Sequence, residues 1–159
     1  MDESDERLDN TSDKVYNEDV NGLKRNKNPN KRRPVPIVRQ NRLTRLFRER
    51  GGKVWQDEEA FAYLDLQGAD AICLGQDIIV LQRKPIISEI LEELYHADQH
   101  FRGEIDTNSR ESVVLAEIAT QQYLLSVTEE YGIPKSEVKQ TQKALKAYQK
   151  ELEGLRNEK

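Results

Sequence analysis

The 159-residue chain contains a single cysteine, Cys73. One thiol cannot make an internal disulfide or a zinc site of clustered cysteines, so stability must come from packing, and any structural or catalytic metal must be held by histidine and carboxylate. Histidine is almost as scarce, with only His96 and His100. No run approaches the roughly 18 apolar residues needed to span a bilayer. The acidic start Met1-Asp2-Glu3-Ser4-Asp5 lacks the basic and apolar regions of a secretory signal. A membrane is therefore not an expected partner, and the expected location is the cytoplasm of the cell that makes the protein. Aromatic residues are 6% of the chain, and 36% hydrophobic stands against 34% charged. That balance leans toward the solvated side of globular proteins, so part of the chain is expected not to pack.

The net charge of −4 conceals an asymmetry. Residues 1–20 carry eight acidic and two basic side chains, and residues 21–50 carry eleven basic and one acidic. With Asn28-Pro29-Asn30 and Arg33-Pro34-Val35-Pro36 forbidding regular helix, residues 1–39 read as a disordered charged tail and 40–159 as one folded domain. The basic half of the tail could meet nucleic acid or an acidic partner. No aromatic interleaving supports nucleic acid, and a solvated linker whose ends attract one another is the favoured reading.

Within the domain, Leu43, Leu46 and Phe47 at helical spacing predict a short helix over 40–50, stopped by Gly51-Gly52. Asp57-Glu58-Glu59, followed by Phe61 and Leu64, predicts a second helix that ends at Gly68. Ala71-Ile72-Cys73-Leu74 and Ile78-Ile79-Val80-Leu81, around Gly75-Gln76-Asp77, read as a β-hairpin and give the only strong strand signal. After Pro85, with Ser88 as cap, Ile90, Leu91, Leu94, Ala97 and Phe101 predict a helix up to Gly103. A long helix over 109–131 is apolar on more than one face, the mark of a central element. An amphipathic helix over 136–155 would lie across the others. The fold class is α+β, mostly helical, with one β-hairpin and a three-helix core.

Chemistry concentrates on residues 92–100, Glu-Glu-Leu-Tyr-His-Ala-Asp-Gln-His. Side chains four apart share a helix face, so Glu92, His96 and His100 form one row, flanked by Glu93 and lying beside the apolar stripe. The pattern is a variant of His-Glu-x-x-His, in which the first and fifth residues hold zinc and the second is the general base. Glu92 replaces the first histidine, and a carboxylate oxygen is a legitimate zinc ligand. A catalytic zinc takes three protein ligands. Glu117, on the next helix among apolar neighbours, is the third candidate, because an ionised carboxylate there is costly unless paired or bound to metal. Gln121, one turn on, could orient a ligand. Tyr95 is either an oxyanion donor or a residue packed at the cleft edge, and Trp55 and Cys73 read as packing residues, with Cys73 also a candidate cavity-lining thiol. Glu93-x-x-His96 matches half of a carboxylate di-iron motif, but such sites need a second copy.

Taken together, Gly51-Gly52, Asp57-Glu58-Glu59, Tyr63-Leu64, Gly68-Ala69, the Gly75 hairpin, Glu92 to Gln99, Glu117-Ile118 with Gln121, and Tyr131-Gly132-Ile133-Pro134 resemble the zincin-like metallopeptidase toxin domain of bacterial polymorphic toxins and their phage-borne relatives. The resemblance covers about residues 45–155. It implies a zinc-dependent peptidase with Glu93 as general base and His96 and Glu117 on one zinc ion, with Glu92 a further candidate ligand; Tyr95, Gln121 and His100 are read from their positions alone as residues serving ligands or substrate. It also implies a protein or peptide substrate, an immunity protein as partner, and delivery by a route other than signal-peptide secretion or carriage with a phage particle. The family pattern Glu-Ile-Glu-Ala-Gln on the second helix is departed from, since Ala119-Thr120 stands at its second acidic position. A different class of reading is a non-catalytic helical interaction domain with a basic N-terminal arm. In that case changing His96 to Ala would leave function intact.

Overall fold

The structure is a computed structural model that describes residues 32–158 and the backbone of 24–26. The expected disorder of the tail thus falls on residues mostly outside those described. Arg32 to Pro36 belong to no helix or strand, yet the body already begins there. Val35 N donates to Pro85 O at 2.8 Å, and Val35 joins the main core, ahead of the expected boundary at residue 40.

The hairpin forms as expected, from β3 (Ala69–Leu74) and β4 (Ile78–Leu81), with Cys73 opposite Ile79. Gly75 makes the turn at φ 73, a left-handed conformation that costs glycine little. Two further strands carry too little pattern to be read in sequence. They are β1 (Lys24–Asn26), antiparallel to β3, and β2 (Lys53–Trp55), parallel to β4. Three residues show barely one alternation, and β2 is recruited because Lys53 N reaches Asp77 O at 2.7 Å. The sheet order is β1-β3-β4-β2.

Period-two alternation sorts the hairpin side chains into two cores. Ile72 and Val80 face helix α3 (Glu58–Gln67), where Ala60, Phe61 and Leu64 meet them. Ala71, Cys73, Ile79 and Leu81 face the other way, onto Ile87, Ile90, Leu91 and Ala97 of the site-bearing helix α4 (Ile87–Phe101). Helix α3 is bounded as its sequence announces, with Asp57 Oδ1 accepting from Ala60 N at 2.9 Å and Gly68 left-handed at its end.

Three helix expectations need correction. The first helix starts earlier and is broken, giving α1 (Ile37–Leu43) and α2 (Arg45–Glu49) around Thr44. Ser88 does not cap α4. Ile86 occupies that position, its N–H donating to Glu89 Oε1 at 3.2 Å, while Ser88 N donates to Glu137 Oε1 at 3.0 Å. The long helix also divides, into α5 (Arg110–Ser126) and α6 (Thr128–Tyr131). Val127 leaves helical geometry, and Thr128 Oγ1 donates to the Leu124 and Leu125 carbonyls at 3.1 Å. The final helix, α7 (Lys135–Asn157), lies along α5, packing Tyr148 with Leu145, Leu152 and Leu155 against Val114 and Ile118. Helix α5 is thus held between α4 and α7, and α4, α5 and α7 form the expected three-helix core. Among the described residues, no helix is long and apolar enough to cross a membrane.

Candidate metal centre

The facing surfaces of α4 and α5 bury an unusual amount of charge. Glu93, His96 and Glu117 have no solvent exposure, and Glu92 has 3%. Glu92 and His96 lie one turn apart on α4, and Glu117 approaches from α5. One ligand atom from each of the three lies within 4.8 Å of the other two, and this is the only such group of histidine, cysteine and acid found among the described residues. His96 Nε2 stands 3.2 Å from Glu117 Oε1 and 3.9 Å from Glu92 Oε2.

The orientation of His96 is fixed from behind. Gln99 Nε2 donates to the Ala116 carbonyl at 3.1 Å, so its Oε1 is left to accept, 2.9 Å from His96 Nδ1. Thr120 Oγ1 spends its own proton on the same carbonyl at 2.7 Å and turns its oxygen toward Nδ1 at 3.3 Å. Two acceptors on one side place the ring proton on Nδ1 and aim Nε2 at the carboxylates. Gln121 Nε2 donates to Glu92 Oε2 at 3.2 Å.

This arrangement leaves a deficit that a cation would fill. The 3.2 Å approach of His96 to Glu117 is not aligned as a hydrogen bond. His96 Nε2, both Glu117 oxygens and Gln121 Oε1 are buried without hydrogen-bond partners. An imidazole lone pair aimed at a carboxylate repels it, so either a proton or a metal ion must lie between them. Donors around a tetrahedral ion at about 2.1 Å stand roughly 3.4 Å apart, close to the separations found here. The residues therefore fit a metal, and the buried Glu92-His96-Glu117 group could hold one. Without a metal, burial opposes the charged ring, but Glu117, then Glu93 and Glu92, outweigh it and push the His96 pKa up to about 10. Burial also holds Glu117 above the usual carboxylate range, with His96 opposing.

The other expected site residues are placed differently. His100 continues the row but is not in the group of three, and burial and then the His96 charge lower its pKa. Tyr95 stacks on Tyr123, with ring centres 4.4 Å apart, and lines a groove on another flank of α4. Cys73 lies close enough to feel Glu93 and Glu117. Burial, then those two charges, keep it a thiol, which donates to Gly75 O at 3.0 Å. Ala119 faces a surface groove with Leu115 and Ser112, so a carboxylate at that position would not point at His96, and the departure there costs the centre no ligand. Gln99 and Thr120 were missed as functional residues. Gln99 had a signal in its position, three residues after His96 on the same helix face. The chain matches no family model, no curated protein and no solved structure.

Proposed function

We propose that this chain is a zinc-dependent peptidase of the zincin type, acting as a bacterial or phage-associated toxin or effector domain. The observation that carries the reading is the set of orphaned donors, His96 Nε2 and the Glu117 oxygens, facing Glu92 across two consecutive helices, with a further acid, Glu93, on the same helix. One nitrogen and two carboxylates form the three-ligand set of a catalytic zinc, and the second cluster that a di-iron centre needs is missing among the described residues. Zinc supplies Lewis acidity there, which makes water more acidic and a scissile carbonyl more electrophilic.

The chain's own groups do the rest. Glu92, His96 and Glu117 hold the ion, and Gln121 steadies Glu92 through its amide N–H. Gln99 and Thr120 hold His96 with Nε2 forward. Glu93 takes the proton of the attacking water and delivers it to the leaving amine. Protein purified from zinc-replete medium should contain about one equivalent of zinc by elemental analysis, as a single three-ligand site requires. Glu93→Gln should retain that zinc and lose peptide hydrolysis or toxicity by about a hundredfold or more. Metal-free wild type would remove the reading.

The complete burial of the centre favours a second reading, a metal that ties α4 to α5 in a non-catalytic interaction domain. In that case Glu93→Gln leaves function untouched, whereas His96→Ala lowers stability.

A further inference from the structure

Two surface grooves adjoin on the side of α4 turned from Glu92 and His96. The larger, about 450 Å³, is lined by Arg39, Arg42, Arg45, Leu43, Leu46 and Tyr131. The smaller, about 280 Å³, shares Leu43 and Tyr131 and continues over the stacked Tyr95 and Tyr123 to Asp98. Together they form one trough with arginines at one end and tyrosines at the other. We propose that this trough, formed by α1, α2, α4 and Tyr131, is a docking site for an acidic, extended segment of a partner protein, with carboxylates over the arginines and one apolar side chain among the tyrosines.

Three observations support that occupant. Among the described residues no acid lines the larger groove, although the chain as a whole carries −4. The arginine end is therefore a local positive field that a negative segment can seek. The arginines are also held at low cost. Arg39 Nη2 is pinned to the Tyr131 carbonyl at 2.7 Å, Arg45 has only an exposed partner in Glu49 at 3.2 Å, and Arg42 is exposed with no carboxylate partner among the described residues. Exposed pairs are weak, so Arg45 can change partner at little expense. Finally, the rim is apolar where water would be excluded. Leu46, 69% exposed, lines the larger groove beside the arginines, and Tyr and Arg around a pocket are residue types enriched in binding hot spots. A polynucleotide fits less well, because continuous phosphates would run onto Asp98 at the tyrosine end.

The test uses the full chain and a fluorescein-labelled short peptide of Asp and Glu around a central Leu, read by anisotropy at low salt. The same peptide with Asn and Gln is the control. Binding of the acidic peptide should exceed the control by about tenfold or more and weaken comparably in Arg42→Glu/Arg45→Glu, with Leu46→Ser also reducing it. All three substituted positions are exposed, so melting curves should stay unchanged. No binding, equal binding of the neutral peptide, indifference to the arginine reversals, or tighter binding of a single-stranded oligonucleotide than of the peptide would each overturn the proposal.

Discussion

Because Gln99 Nε2 is committed to the Ala116 carbonyl, its oxygen can only accept, and His96 must turn its Nδ1 proton that way and its Nε2 lone pair toward Glu117. The consequence is measurable as proton competition. The His96 pKa of about 10 lies above its ordinary 6.5, so the charged ring stabilises the metal-free fold fully below the ordinary value, and that contribution is lost as pH rises through about 10. A divalent cation must displace the same proton. Zinc affinity, measured by competition with a chelator, should therefore climb about tenfold per pH unit from roughly pH 7 to 9. Gln99→Leu should cut affinity about 10- to 100-fold at every pH, as loss of an outer partner does. A pH-independent affinity would contradict a protonated His96. The meeting of Glu92, His96 and Glu117 was legible in sequence, because spacing on one helix and an isolated acid on the next are local signals. The roles of Gln99 and Thr120 were not, since both depend on a carbonyl of α5 reached only when the helices pack. Tyr95 and His100 illustrate the converse. Proximity in sequence made them candidates. Tyr95 does meet α5, but through Tyr123 and away from the group of three, and His100 stands one turn beyond that group.

At the scale of elements, the first turn of α4 is fixed by a residue from outside the expected domain. Arg32 donates to Glu89 at 2.9 and 3.2 Å and to the Lys84 carbonyl at 3.0 Å, and Glu89, 1% exposed, also accepts from Gln82 Nε2 and Ile86 N. Burial disfavours the charged guanidinium, yet Glu89 and then Asp70 more than restore it and raise its pKa. Removing one partner of a buried pair strands the other. Arg32→Met should therefore cost about 3 kcal/mol, read as a lower urea midpoint, with Glu89 keeping its two remaining donors. An unchanged midpoint would mean that the pair does not form in solution. Nothing in the tail's composition singled out Arg32 from ten other basic residues between 21 and 50. What distinguishes it is the pair of buried carboxylates, Glu89 and Asp70, that awaits it. The hairpin, α3 and α7 were readable because period, cap and stop signals agree in each. The strands β1 and β2 were not, and the breaks at Thr44 and Val127 leave no Gly or Pro to announce them.

At the scale of the molecule, the sheet carries α4 on one face and α3 on the other, and α7 backs α5 from outside. The candidate ligands therefore sit on two helices that are each packed against other elements. With at most 3% exposure at any of them, water, substrate and chelator alike would reach an ion held there only through an opening of α4 from α5. The ion's departure then becomes a property of how often α4 and α5 part, rather than of how strongly a chelator pulls. For zinc-loaded protein in excess EDTA, the rate of metal loss should level off and become independent of EDTA concentration, following instead the slow exchange of backbone amides in the same two helices. A rate that keeps rising in proportion to EDTA would show an open door where the fold draws a closed one.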